Sequence, residues 1–263
     1  MSRPVAVITG ASSGLGAVFA TKLARKNYGL LLIARRKDRL AELAAQLDRD
    51  HAITARVLEA DLATAEGIEV AAEAIAAESR LALLVNNAGF GVGGIFFRIP
   101  LEDQQRMHRL HIDATLRLTH AALVNMTPRD TGAVINVSSV AAYVCSPGSV
   151  SYAATKSWMN AFTEGVYLDL KSAGSRVTIQ ALCPGYTYTE FHDTMGVSRD
   201  STPRWLWLNA DRVVDHSLAA LETGQLFVVP GWFYRLVTMA MPRIPAALRV
   251  RIETRGPRNR DQV

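Results

Sequence analysis

The chain has 263 residues, 49% hydrophobic and 20% charged, a composition that excludes a disordered or low-complexity protein. Its two cysteines, Cys145 and Cys183, lie in no ligand-spaced cluster, which argues against a zinc site and a disulfide framework and suits a reducing compartment. The formal net charge of +5 sits at one end: seven arginines and two acids lie from Arg235 to Val263, while 22 basic and 22 acidic residues before them balance, so the body of the chain carries no basic excess for nucleic acid.

Met1-Ser2-Arg3-Pro4 leads straight into a strand without the apolar stretch of a signal peptide, so the expected location is cytoplasmic. Val5–Thr9 is that strand, short, β-branched and ended by glycine. Leu15–Asn27 reads as a helix with Val18, Phe19 and Leu23 on helical spacing. Leu30–Ala34 is a second strand, and Lys37–Arg49 a helix with Leu40, Leu43 and Leu47 on one face. Ile53–Leu58, Ala65–Ser79 and Leu81–Val85 follow as strand, helix and strand. After Pro100 comes a long helical region, Leu101–Met126. Ala133–Val137, Tyr152–Ala173, Arg176–Leu182, Asp211–Leu221 and Leu226–Val229 continue the alternation. Strands alternating with helices predict an α/β, doubly wound parallel sheet with a ligand crevice at its switch point. The segment Glu190–Leu208 is expected to be a lid or substrate-binding loop. The organisation is read as a dinucleotide-binding catalytic domain over 1–230 and a basic, partly apolar extension over 231–263.

Thr9-Gly10-Ala11-Ser12-Ser13-Gly14-Leu15-Gly16 follows the first strand and opens the first helix. Missing side chains at Gly10, Gly14 and Gly16 permit a tight turn and close backbone approach to phosphate, and the helix start supplies free N–H groups. Ser12, Ser13 and Leu15 belong to the same loop. The second strand ends in Arg35-Arg36-Lys37, where an NAD site would carry an acid. Guanidinium groups there suit the 2′-phosphate of NADP through bidentate bonds, and a solvated helix start is the plain alternative. Asp61, followed by Leu62, is either an acceptor for an adenine amino group or a helix cap. Asn87, Ala88 and Gly89 close the fourth strand with small and amide residues that let a cofactor lie across the sheet edge.

Tyr152 and Lys156 are one turn apart on a predicted helix. A phenol titrates too high to act as a base near neutrality, but a nearby ammonium and a cationic nicotinamide both favour its phenolate. Tyr152 would then exchange the substrate hydroxyl proton, and Ser139, at the end of the preceding strand, would hydrogen-bond the substrate oxygen.

With these residues in order, the chain resembles the short-chain dehydrogenase/reductase family: TGxxxGxG at Thr9–Gly16, Asn86-Asn87-Ala88-Gly89, Ser139, Tyr152-xxx-Lys156 and Pro184-Gly185. The resemblance implies a single-domain Rossmann-type sheet of about seven strands, a nicotinamide cofactor of the NADP(H) kind, and interconversion of a carbonyl and an alcohol. It further implies that Lys156 holds the nicotinamide ribose, and that Pro184, Gly185, Thr187 and Thr189 contact the carboxamide and diphosphate. A homo-dimer or tetramer built on the long helices is implied as well. One departure stands out: His111 takes the place of the family's asparagine, which holds a water in a proton relay. It would support the relay, cut it, or merely pack.

Phe90, Phe96, Val140, Tyr143, Tyr186, Phe191, Trp205 and Trp207 are candidate pocket residues, and their character suggests an apolar carbonyl substrate such as a lipid, steroid or acyl derivative. The tail, broken by Pro242 and Pro245, is too short to span a membrane. It is expected to lie on an anionic membrane, cover the substrate cleft or pack on a second subunit. No metal site is expected. The rival reading is a dinucleotide-binding regulator or scaffold with little turnover, resting on His111 and the tail.

Overall fold

The computed structural model describes residues 3–191 and 202–255. Its seven strands are β1 (Val5–Thr9), β2 (Gly29–Ala34), β3 (Ala55–Glu59), β4 (Leu81–Asn86), β5 (Ala133–Val137), β6 (Thr178–Leu182) and β7 (Phe227–Val228). Every residue of β1 and β5 is buried. Such fully buried, mostly apolar runs need cover on both faces, and a parallel sheet flanked by helices provides it. The strands pair in parallel in the order β3-β2-β1-β4-β5-β6-β7, so the direction of winding reverses between β1 and β4. The crevice at that switch point lies outside the carboxyl ends of the strands.

The strand period of two sorts the core into two layers. Ala6 and Ile8 of β1, Leu30 and Leu32 of β2, and Leu83 and Val85 of β4 face the helices α1 (Gly14–Arg25), α2 (Lys37–His51) and α7 (Ala210–Glu222). Val7, Leu31, Ile33, Leu84 and Val134 face α3 (Ala65–Ala76), α5 (Thr115–Met126) and α6 (Val150–Ser172). Phe19, Leu23, Leu40 and Leu47 are wholly buried and dock α1 and α2; each such side chain contributes roughly 1.5–3 kcal/mol.

Several predicted boundaries move by a residue or more, and some of the shifts have a visible cause. α2 runs on to His51, Ala52 turns the chain at φ 50°, and Asp48 accepts from the Ala55 N–H at 2.7 Å, so β3 begins at Ala55 rather than Ile53. α3 ends at Ala76 rather than Ser79, because buried Glu78 turns out of the helix to pair with Arg56 and Arg80. The predicted long helix is three segments: α4 (Leu101–His108), a π-helical turn (Arg109–Ala114) and α5. Such turns gather at functional positions, and this one carries His111.

The tail forms α8 (Trp232–Ala240) and α9 (Ala246–Arg255). Tyr234 of α8 lies on Gly185, donates to Leu206 O at 2.7 Å and accepts from the Tyr186 N–H at 3.2 Å. Glu253 of α9 accepts from Ser146 at 3.0 Å. No helix among the described residues is long and apolar enough to cross a membrane. The proposed lid, Glu190–Leu208, lies partly outside the described residues.

Candidate active site

After Thr9 the chain must turn at once into α1. Gly10 does so at φ 64° and Gly14 at φ 56°, in the region that favours glycine. A Cβ on Gly10 would lie 2.8 Å from Ala88 Cα, and one on Gly16 would meet the Gly10 carbonyl. The loop is thus packed backbone to backbone on the end of β4. Asn87 fastens them: its Nδ2 donates to Thr9 O at 2.9 Å and Gly10 O at 3.3 Å. The backbone N–H groups of Asn87 and Ala88 both donate to Thr9 Oγ1 at 2.9 Å. Ser13, at the N-cap of α1, makes no side-chain cap bond, and no acid lies in the first turn. The opening N–H groups of α1 therefore have no capping acceptor and form the positive end of its dipole. This cradle fits a diphosphate, with Gly14, Leu15 and Gly16 supplying the N–H groups.

Arg36 turns back onto this loop. Its Nη2 donates to Ser13 Oγ at 2.7 Å and Ser12 Oγ at 3.1 Å, and its Nη1 to Glu190 at 3.1 Å. Arg35 beside it is exposed. Asp61 is not the cap of α3; Thr64 is, accepting from Gly67 N–H at 3.1 Å. Asp61 instead accepts from Ala63 N–H at 3.0 Å and faces Arg106 at 3.7 Å. Leu62 is buried in the core, leaving only its backbone for a ligand. The Pro184 carbonyl accepts from Val140 N–H at 3.0 Å. Thr187 is buried and donates to Gly185 O at 2.9 Å, while Thr189 lies 3.3 Å from where a Gly14 Cβ would sit.

Ser139, Tyr152, Lys156 and His111 meet at the carboxyl end of β5 and the start of α6. Ser139 Oγ accepts from Ala141 N–H at 3.1 Å and hydrogen-bonds Tyr152. The Lys156 ammonium donates to Val137 O at 2.8 Å and lies 5.8 Å from the Tyr152 ring centre. Burial pushes the Tyr152 phenol up to about 12, with the Ser139 hydrogen bond pulling the other way. Burial likewise brings Lys156 down to about 8, opposed by Cys183. The expected lowering of the tyrosine by the lysine is therefore overturned in the protein alone. Burial of the lysine and partial burial of the tyrosine penalise their charged forms, and the ammonium is turned to a carbonyl.

His111 is wholly buried and held well below its ordinary pKa, first by burial, then by Lys156 and His108. Its Nδ1 lies 2.9 Å from Thr155 Oγ1, and that hydroxyl donates to Tyr152 O at 2.9 Å. A hydrogen on His111 Nδ1 lets Thr155 accept from the ring while donating to the carbonyl, and that tautomer leaves Nε2 an acceptor. Nε2 has no hydrogen-bond partner and stands 3.0 Å from where a Gly89 Cβ would be.

Of the pocket candidates, Phe191 is 5.8 Å from the Tyr152 ring and Phe90 6.4 Å from His111. Trp207 is buried against Tyr186 and Tyr188, and Trp205 leans on Phe233 of α8. Tyr143 and Val140 are partly buried beside Ser139, while Phe96 is half exposed. Sequence reasoning missed Thr155, Arg39, Glu190 and a buried ladder in which Asn86 donates to Thr119 and Asn136, and Asn136 to Thr163. An asparagine inside the apolar run of β5 was the one visible signal. Among the described residues no group of three metal-ligating side chains is placed to hold an ion.

A doubly wound sheet with a glycine cradle at its switch point defines a dinucleotide-binding protein. A family model for short chain dehydrogenase matches residues 4–199. The chain belongs to the short-chain dehydrogenase family. Sulfoacetaldehyde reductase 2 of Chromohalobacter salexigens is 35% identical over 190 residues, 71% of this chain and 74% of that protein. The very-long-chain 3-oxoacyl-CoA reductase of Anas platyrhynchos is 29% identical over 189 residues, 70% of this chain and 60% of that protein. The chain thus spans less than two-thirds of that relative. The short-chain dehydrogenase of Sphingobium yanoikuyae in complex with NADPH superposes with a TM-score of 0.83 at 28% identity, covering 98% of this chain and 97% of that one.

Proposed function

We propose that the chain is an NADP(H)-dependent oxidoreductase that interconverts a carbonyl and a secondary alcohol on an apolar substrate. The observation that carries this is the meeting of partly buried Ser139 and Tyr152 with buried Lys156 at the carboxyl edge of the sheet that also carries the uncapped start of α1. When bound, the nicotinamide supplies or accepts the hydride. Tyr152, protonated at neutral pH, donates its hydroxyl proton to the substrate oxygen as the carbonyl is reduced, and takes it back in the reverse direction. Ser139 hydrogen-bonds the same oxygen and stabilises its developing charge. The Lys156 ammonium, fixed on the Val137 carbonyl, holds the ribose. His111, neutral and with Nε2 free to accept, holds a water that returns protons toward Lys156.

Arg36 over Ser12 and Ser13, with no acid ending β2, supports NADP(H), as does the NADPH bound to the relative from Sphingobium yanoikuyae. Phe90 and Phe191 beside the reacting rings support an apolar substrate. Exposed Leu116 and Val124 on α5, and Val150 and Leu168 on α6, support a homo-oligomer through these helices; a clean monomer by light scattering overturns it. Residues 231–263 are proposed as an extension that braces the site loops through Tyr234 and Glu253.

The test is titration with NADPH and NADH, followed by a carbonyl panel read at the nicotinamide absorbance. Tighter NADPH than NADH binding, lost in Arg36→Ala, and turnover cut about 10²–10⁴-fold in Tyr152→Phe are expected. Turnover equal in Tyr152→Phe and the wild type refutes the assignment.

A further inference from the structure

Glu190 lies far in sequence from the end of β2, yet its carboxylate sits on the cations there. Its Oε2 accepts from Arg36 Nη1 at 3.1 Å, and its Oε1 from Arg39 Nη1 at 3.0 Å. The Arg36 bond, and less strongly Arg39, hold the carboxyl below its ordinary range. On its other side the Arg36 guanidinium faces Ser12 and Ser13 of the glycine loop. The carboxylate thus stands at the end of β2 beside the cradle, where the 2′ group of a dinucleotide ribose belongs. The neighbours of Glu190 extend the contact both ways. Thr189 packs on Gly14, and Phe191 reaches the Tyr152 ring at 5.8 Å. One short segment therefore touches the phosphate cradle, the cofactor-selecting arginines and the reacting phenol.

We propose that Glu190 is a specificity-determining residue that competes for the 2′-phosphate position: the phosphate displaces its carboxylate from Arg36 and Arg39 and frees the segment that carries Phe191 to the tyrosine. This rests on the NADP(H) reading above. A phosphate, with more charge and more acceptor oxygens than a carboxylate, outcompetes it for two guanidinium groups. A ribose 2′-OH carries no charge to compete for the guanidinium groups, so the non-phosphorylated cofactor binds without drawing on them and leaves the carboxylate in place. Arg39 is thereby a second phosphate ligand, one turn along α2 from the arginine pair that the sequence made conspicuous.

The test uses the full chain, wild type and Glu190→Gln, and calorimetric titration with adenosine 2′,5′-bisphosphate, 5′-AMP, NADPH and NADH. Glu190 is half exposed, so the amide leaves the fold intact. Both ion pairs are solvent-exposed and of modest strength, so Glu190→Gln should bind the bisphosphate and NADPH about three- to tenfold tighter, with 5′-AMP and NADH within about twofold of the wild type. Affinity for the bisphosphate that is unchanged or weaker overturns the proposal. So does an equal gain for all four ligands, which makes Glu190 a general obstacle. A wild type without preference for the 2′-phosphate that gains one in Glu190→Gln keeps the proposal and overturns the NADP(H) reading of the wild type; no preference in either protein overturns both.

Discussion

Replacing Lys156 by methionine tests whether the site stores destabilisation for function. The lysine is 5% exposed and its pKa falls from 10.5 to about 8, mainly by burial. Its charged form is therefore disfavoured in the fold. The stability is full above the unfolded value of 10.5, declines as pH falls, and is lost once pH passes below the folded value of about 8. At one pKa unit per 1.36 kcal/mol, the cost at pH 7 is about 3 kcal/mol. Between pH 7 and pH 9.5 the wild type should recover about 2 kcal/mol that the methionine variant has no means to recover. Loss of the Lys156–Val137 hydrogen bond shifts both ends of the comparison equally, and Tyr152 and Cys183 titrate in both proteins. Urea unfolding followed by circular dichroism, at one protein concentration and at both pH values, gives the difference of differences. Parallel pH dependence in the two proteins would show that Lys156 is not held in a desolvated, pKa-depressed state, and the account of the buried cluster would be wrong.

Gly16→Ala places a methyl against the Gly10 carbonyl and should abolish binding of NADPH in calorimetry, while Gly165→Ala, an exposed position of α6 with nothing within 4 Å, should retain binding and raise stability by about 1 kcal/mol. His111→Leu removes the Nε2 acceptor and should lower kcat about tenfold or more with little change in NADPH affinity, whereas His111→Asn should restore much of the loss; equal rates for all three would mean a packing role. Deleting 242–263 should weaken co-sedimentation with anionic vesicles, because it removes exposed Leu248 and Ile252 on α9 and the arginines around them; unchanged co-sedimentation rejects membrane contact.

The order of strands and helices, the glycine loop and the Tyr152–Lys156 spacing were legible in the sequence, because each is written in local periodicity or in residues a few positions apart. An apolar run of five needs burial wherever it ends up, and residues four apart share a helix face in any fold. The features that decide how the site behaves were not legible. Glu190 meets Arg36 across 154 residues, and His111 meets Thr155 across 44, so neither pairing leaves a local trace. The Thr155 hydroxyl that faces both the histidine and the Tyr152 carbonyl meets the ring only once α6 lies against the π-helical turn. The direction of the tyrosine pKa reversed for the same reason: spacing placed an ammonium nearby, but desolvation is a property of the whole surrounding interior, and only the folded chain sets how dry that interior is.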